Sequence, residues 1–455
     1  MLMTLGEIAS ALNLPLRKGR NQLVSGVAMD SRTVQKDWLF FALKGARADG
    51  HSFVLDALQR GAAAAVVEKA VPEAGERLLP VEDTLRALQD LAAYYRQKFP
   101  FPVIAVTGTN GKTTVKEMTA DVLSTHYQVM KTEGNFNNLI GVPLSIFSWS
   151  RNGELAVVEM GTNHFGEIRR LCEVAKPTHG VITNVGKGHL EFFKDENGVA
   201  RAKAELLEAL ADRGLVFLNG DDPHLIPYRR IAVKTVTYGF GKDCDLRGEH
   251  ADVDRFGFPK MTVAGQTIRL SIFGRYNLTN ALAAVALGRT FGIPWPEIQE
   301  RLWRFRPVTK RAEPVRAGGI LFVNDTYNAN PSSMEQSLIM LKELAGIRRR
   351  IAVLGDMLEL GKAGQAEHAR LGEAVAAMEY DGLWATGKGM RHAVTAARDA
   401  GMNSAVWFDS KPKLIEALSA ELQEGDGVLV KGSRLMRMED VVEELQKRFG
   451  ENPRE

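Results

Sequence analysis

Along the first hundred residues, short apolar runs alternate with amphipathic stretches. In FVLDALQRGAAAAVVE, Phe53 to Glu68, apolar residues recur at helical spacing up to Gly61 and then become continuous. That pattern predicts a helix, a glycine stop and a buried strand. A second helix is predicted from about Asp83 to Lys98. It ends at FPFPV, where Pro100 and Pro102 disfavour helix at the residues before them and make a linker. From Val103 the rhythm becomes strand, glycine turn, helix. VIAVTG precedes a helix after Lys112, LAVVEMG a helix after Gly166, and HGVITNV a helix from about Gly198, while LVFLNGDD adds an apolar strand with its turn. Strands alternating with helices predict a parallel sheet covered on both faces. The stretch from about Tyr228 to Phe273 is richer in short strands, and YNLTNALAAVALGRTF is a helix.

A second break falls at RPVTKRAE, Arg306 to Glu313, after which the alternation restarts. ILFVNDT, a helix after Pro331, RRIAVLGDM, the helix of AEHARLGEAVAAM, DGLWATG, and GDGVLVKGS with a final helix make a Rossmann-like α/β unit. The expectation is an α/β chain of three domains, 1–99, 100–308 and 309–455, the middle one built on a parallel sheet. A length of 455 residues fits about three cores.

Composition narrows the function classes. Lys and Arg number 58 against 55 Asp and Glu, for a net charge of +3, and no basic run dominates. There is no electrostatic footprint for nucleic acid. Two cysteines, Cys172 and Cys244, exclude a disulfide framework or a cysteine-rich zinc site. The opening MLMTLGEIASALNL lacks the basic and long apolar regions of a signal peptide. No apolar run approaches the roughly 18–20 residues needed to span a bilayer. A cytoplasmic protein with no membrane insertion is expected.

The chemistry concentrates in VIAVTGTNGKTT, Val103 to Thr114. An apolar strand enters a loop with Gly108 and Gly111, and Lys112 and Thr113 then open a helix. Glycines let backbone N–H groups curl toward phosphate oxygens, and the helix N-terminus adds positive potential. Lys112 would meet the β/γ-phosphates and the Thr113 hydroxyl a Mg²⁺ ion. The spacing is shorter than a full Walker A motif, since Val106 stands where its first glycine would be. Glu159 ends LAVVE, at the strand end where parallel sheets bind ligands, and His189 in GKGHLEF follows the next strand on the same rim. In GVARAKAELLEAL the apolar stripe is Val199, Ala202, Lys203, Leu206 and Leu210. A lysine there is costly to bury as a plain cation unless it is paired or snorkels.

The loop Thr107, Gly108, Thr109, Asn110, Gly111, Lys112, Thr113, Thr114 resembles the phosphate loop of the Mur ligases and folylpolyglutamate synthases. EMGTNH, GHLE, AKAE, NFNN and YNANP extend that resemblance over the chain. It implies an ATP-dependent ligase that passes the γ-phosphate to a carboxylate, giving an acyl-phosphate that an amine attacks. It further implies that Thr113, Glu159, His189 and a carbamylated Lys203 organise two Mg²⁺, with Lys112 on the transferred phosphate. Asn277 and Asn280 resemble family residues near adenine. Arg311 resembles a phosphate-contacting arginine, and Asp325 one that reaches the ATP ribose. Family members usually carry Gly-Arg at that break; here it is Lys310–Arg311, which puts the local backbone path in doubt.

The segment Met29 to His51 is similar to the uridine-nucleotide signature of Mur ligase N-terminal domains, which implies Ser31, Arg32, Lys44 and Gly45 at a UDP group. Asn135, Asn137 and Asn138 match a loop facing the acceptor's sugar and peptide, and Asn328 the incoming-amine side. GTNH, NFNNLIGVPL and YNANPSSM together imply D-alanyl-D-alanine as the amine and UDP-MurNAc-tripeptide as the acceptor; a monomer is expected, although no motif speaks to oligomeric state. The rivals are another ligase of the family, acting on folate or on the dipeptide precursor, and a nucleotide switch that hydrolyses ATP without ligation.

Overall fold

The computed structural model describes residues 2–15, 19–45, 48–212, 214–231, 234–254 and 257–450. Three α/β units follow one another along the chain. The first is a four-stranded parallel sheet, Gly26–Ala28, Trp38–Phe41, Ala64–Val67 and Leu78–Pro80, in chain order. The helix before its third strand, Val54–Gln59, stops at Gly61, whose φ of 103° suits glycine alone. The helix Thr84–Arg96 is capped by Asp83, whose carboxylate accepts the Arg86 N–H at 2.9 Å. Its Leu88 and Leu91 are fully buried in one core with Ile146 and Leu171 of the next unit. At its end the buried Arg96 donates to the carbonyls of Ala175 (2.8 Å) and Phe101 (3.0 Å), so the proline linker is clamped to the middle unit.

The middle unit is a nine-stranded sheet with Val103–Thr107 between His179–Ile182 and Leu155–Glu159. All three strands are parallel, so their carboxyl ends open on one rim; Val106 pairs with Glu159 and Thr107 with Ile182. The sheet is not parallel throughout, as the alternation had suggested. Pro259–Val263 and Gln266–Arg269 run antiparallel at one edge. Only Ala264 and Gly265 join them, at φ 47° and 76°, and two left-handed residues suit a tight hairpin but cannot make a crossover.

The third unit has six strands in the order Glu313–Ala317, Ile320–Asp325, Gly427–Lys431, Arg350–Gly355, Gly382–Thr386, Ala405–Phe408. Five are parallel; the first is antiparallel, joined by Gly318–Gly319 at φ 55° and 74°. The last strand and the helices Met390–Asp399 and Lys411–Glu421 complete a doubly wound unit that the sequence pattern had shown only in part. Leu190, Phe193, Val199 and Ala202 of the middle unit share a core cluster with Met334, Leu338 and Leu360 of the third. The two sheets therefore face each other across a cleft floored by this apolar cluster.

Candidate active site

The phosphate loop is shaped by contacts that only glycine permits. A Cβ on Gly108 (φ 150°) would sit 1.8 Å from Thr183 Oγ1, and one on Gly111 (φ 79°) 2.4 Å from Asn280 Oδ1. Asn184 holds the loop by accepting the Thr109 and Asn110 N–H groups, both at 2.9 Å. The helix Lys112–Leu123 then starts with no side chain capping it, which leaves its first N–H groups to an anion. Lys112 Nζ curls back to donate to the Gly108 (2.8 Å) and Thr109 (3.0 Å) carbonyls. Burial pushes its ammonium down to about 8; the nearby Glu159 carboxylate opposes that and Arg311 adds to it.

Around Glu159, which is 1% exposed, several elements converge. Thr113 Oγ1 donates to one carboxylate oxygen and Asn137 Nδ2 to the other, each at 2.8 Å. From the third unit, the Arg311 guanidinium donates to the same Thr113 hydroxyl at 2.8 Å and lies 3.9 Å above the Tyr327 ring. The Arg311 Nε hydrogen is buried without a partner, aimed at no protein acceptor. Lys310 adopts φ 63°, in the left-handed region that glycine enters most easily. Its ammonium is tied to Glu439 at 3.0 Å.

Lys203 is 3% exposed, and its side chain lines the cleft rather than the outer surface. Among the described residues no hydrogen bond or ion pair reaches its Nζ. Burial, reinforced by the Lys112 charge, holds it well below the usual lysine range. His189, at φ 53°, turns its Nδ1 to Glu359 Oε2 at 2.6 Å. Asp325 accepts from Lys431 Nζ at 2.5 Å and Ser337 Oγ at 2.6 Å. Burial raises its carboxyl, but the Lys431 ammonium outweighs this and holds it below the ordinary value. Asn277 and Asn280 are linked to each other at 2.8 Å.

One cleft of about 830 Å³ is lined by Thr109 to Thr114, Asn137, Asn138, Glu159, His189, Lys203, Asn277, Asn280, Arg311, Asp325 and Asn328. Thr107 and Gly108 lie beneath it without lining it, and Asn135 is exposed beside it. Asn138 spends its side-chain oxygen on the N–H groups of Ile140 and Gly141, as a turn residue does. Ser31, Arg32, Lys44 and Gly45 lie elsewhere, after the first two strands of the N-terminal sheet. Ser31 is buried, whereas the Arg32 guanidinium is exposed and rests on Asp30 at 2.6 Å.

Three residues in or behind the cleft were given no role from the sequence. Lys116 is completely buried, donating to the Thr132 carbonyl at 2.7 Å, 4.0 Å from Glu159. Its only signal was its place one turn beyond Lys112. Asn330 caps the helix Pro331–Glu343 and donates across the cleft to Asn110 at 2.8 Å; an Asn before a helix-opening Pro was visible as a cap. Tyr327, under Arg311, opens the YNANP motif, within which no role fell to the tyrosine.

The donor set suits magnesium. A hydroxyl and a carboxylate, Thr113 and Glu159, meet beside an uncapped helix N-terminus. Magnesium takes hard oxygen ligands and uses one or two carboxylates with phosphates and water rather than a protein cage. No group of three or more His, Cys, Asp or Glu side chains converges among the described residues. The buried, unpaired Lys203 amine is a third feature that an anion on that side chain would resolve.

Residues 23–96, 106–288 and 310–434 match, in turn, the family profiles described as Mur ligase family, catalytic domain; Mur ligase middle domain; and Mur ligase, glutamate ligase domain. The UDP-N-acetylmuramoyl-tripeptide–D-alanyl-D-alanine ligase of Bacillus subtilis is 37% identical over 429 residues, 93% of each chain. A crystal structure of MurF from Acinetobacter baumannii superimposes with a TM-score of 0.89 at 29% identity, over 98% of this chain and 99% of that one. MurF ligase from Thermotoga maritima in complex with ADP gives a TM-score of 0.84 at 30% identity, over 94% and 98%.

Proposed function

The chain belongs to the Mur ligase family, and from that premise we propose that it joins D-alanyl-D-alanine to UDP-MurNAc-tripeptide at the expense of ATP. The observation that carries this reading is the meeting of two domains on one hydroxyl: Thr113 of the phosphate loop bonds Glu159 and receives Arg311. Such a cleft neutralises phosphate and carboxylate charge and offers no activated protein nucleophile, which suits phosphoryl transfer to a substrate carboxylate.

In this reading the acceptor's terminal carboxylate attacks the γ-phosphorus, the bond to the β-phosphate oxygen breaks, and ADP leaves. The dipeptide amine then attacks the acyl carbon, releasing phosphate and, from the nitrogen, a proton. Lys112 and the uncapped helix N-terminus hold the phosphates, with Arg311 reaching them from the other domain. Magnesium would supply the remaining charge neutralisation, held by Thr113, Glu159, His189 and, as a carbamate, Lys203. The burial of Lys203 supports that modification. A depressed pKa supplies the neutral amine that adds to CO₂, giving an N-carboxylate and a proton. Asn277 and Asn280 line the adenine side, and Asp325 the ribose side with Lys431 orienting it. Asn328 faces the incoming amine. Asn137 and Asn138, with Asn135 beside them, face the acceptor peptide, and the Ser31, Arg32, Lys44 and Gly45 loops its uridine end. We divide the chain as 1–99, 100–308 and 309–455 and read it as a cytoplasmic monomer; among the described residues no helix is long and apolar enough to cross a membrane.

Coupled phosphate release over a panel of UDP-MurNAc-peptides and dipeptides tests this. Phosphate should appear only when UDP-MurNAc-tripeptide and D-alanyl-D-alanine are both present. Turnover of ATP without the UDP-peptide would point to a nucleotide switch instead.

A further inference from the structure

We propose that Glu359 is the positioning residue for His189, so that this histidine is presented to metal only when the third domain is docked. The inference rests on the reading of His189 as a metal ligand. Glu359 belongs to LGDMLELG, a motif for which the phosphate chemistry has no use. Its Oε2 lies 2.6 Å from His189 Nδ1. An ionised carboxylate only accepts, so Nδ1 must carry the hydrogen; in a neutral ring that leaves the lone pair on Nε2. Ligating histidines are set this way, with the second nitrogen donating to a carboxylate that fixes the tautomer and ring plane.

His189 needs such a partner, because its left-handed backbone (φ 53°) lies outside the regular helix that follows it. The backbone from Glu359 to Gly361 is fixed against the segment that carries His189. The Glu359 carbonyl accepts the Glu191 N–H at 3.0 Å. At Gly361 (φ 53°) a Cβ would lie 3.2 Å from Glu191 Cα, so the two backbones touch. Leu360 is buried in the same cluster as Leu190 and Phe193. Closure by itself has other fasteners: Lys187 Nζ meets Glu367 at 2.8 Å and Asn330 meets Asn110 at 2.8 Å. The contact of Glu359 with the imidazole is therefore not required to hold the domains together, and its position is explained by orienting the ring.

The test is Mn²⁺ binding followed by electron paramagnetic resonance on the full-length protein with ADP, together with the Mg²⁺ dependence of ligation. Glu359→Ala should weaken Mn²⁺ binding about 10–100-fold, the usual loss for such a partner. It should raise the Mg²⁺ needed for half-maximal rate in parallel and leave KM for ATP and dipeptide unchanged. Glu359→Gln, whose amide oxygen still accepts, should stay within a few-fold of wild type. Lys187→Ala, which cuts a fastener only, should leave Mn²⁺ affinity unchanged. Wild-type Mn²⁺ binding in Glu359→Ala beside weakened binding in His189→Ala would overturn the positioning role. Equal losses in Glu359→Ala and Lys187→Ala would reduce Glu359 to a fastener. Unchanged Mn²⁺ binding in His189→Ala would remove the premise, and the proposal with it, without touching the ligase reading.

Discussion

Lys203→Met should give a protein that is inactive yet more stable than wild type at neutral pH without CO₂. The substitution keeps an apolar four-atom stem, with sulfur in place of one methylene, and removes the amine. In the structure the residue is 3% exposed, its amine lines the cleft unpaired among the described residues, and Lys112 repels it. Each unit by which burial depresses its pKa costs the folded state about 1.4 kcal/mol relative to an exposed lysine. Replacing buried charged groups by well-packed apolar ones has stabilised other proteins by roughly 1–4 kcal/mol, and a gain of that order is expected here. The sign of the pH dependence follows. Between the lowered folded pKa and the unfolded value the unfolded chain binds a proton that the folded chain does not. Stability conferred through this group therefore rises with pH across that window. The advantage of the methionine variant should be largest at pH 7 and shrink toward pH 10.

Thermal unfolding of both proteins at pH 7 and pH 9, in CO₂-free buffer, reads this difference. Adding bicarbonate with Mg²⁺ and ADP should stabilise wild type alone, and ¹³C-bicarbonate should give a carbamate resonance that the variant lacks. Activity should fall by more than the roughly 10–100-fold typical of an outer partner of a metal ligand. Lys203→Arg keeps charge and length but cannot form the carbamate, so it should fail as badly. Near-normal ligation by the arginine variant would refute the reasoning, since a plain cation would then suffice.

Lys112→Ala should abolish ligation with the fold intact, and retention of most turnover would sink the phosphate-loop assignment. Because the free Lys112 ammonium sits at about 8, phosphates should raise it. ADP binding at pH 8.5 should therefore take up a proton, which calorimetry in buffers of different ionisation enthalpy measures, whereas Lys112→Ala should take up none. Gly111→Ala puts a Cβ 2.4 Å from Asn280 Oδ1 at φ 79° and should cost about 1–3 kcal/mol of stability together with nucleotide affinity; an unchanged ADP Kd would contradict the cradle. Solution scattering should show compaction when a non-hydrolysable ATP analogue and both substrates are added, and no change in radius at saturation would count against closure.

What could be read in advance were features encoded over a few adjacent residues. VIAVTGTNGKTT declares a strand, two glycines and a helix start, and the structure places each where the pattern does. The anomaly of Lys203 was visible as one charge on an apolar stripe, but its burial without a partner needed the tertiary packing to be seen. Lys116 was invisible for the converse reason. A lysine one helical turn past another looks solvated, and it takes the carbonyls of Thr132 and Gly134, from the segment after a different strand, with the Glu117 carboxylate at 2.9 Å, to show how its charge is buried. The antiparallel edges went unread because short strands alone do not give direction: the stretch from Tyr228 to Phe273 showed strands without their pairing, and Gly318–Gly319 turns the chain within two residues between apolar runs. Asn138 shows the limit of residue type as a signal, since an amide proposed for the acceptor also serves its own helix.

The remaining unread layer is the pairing between domains, and it is where the reaction's needs are strictest. An acyl-phosphate must be kept from water until the amine arrives, yet three substrates must enter and three products leave. A site complete within one sheet would be either open to water or closed to exchange. Here the phosphate loop and Glu159 belong to one sheet and Arg311, Asp325 and Asn328 to the other, and above their shared apolar cluster three short polar contacts join them at the chemistry itself: Arg311 to Thr113, Asn330 to Asn110, Glu359 to His189. Each links a third-domain residue to one that the proposed mechanism places at phosphate or metal. Such hydrogen bonds contribute only about 0.5–1.5 kcal/mol apiece, or somewhat more where charged, so they can break in each cycle. Their geometry couples closure to assembly of the site, so that the charge-neutralising groups come together only when water has been excluded.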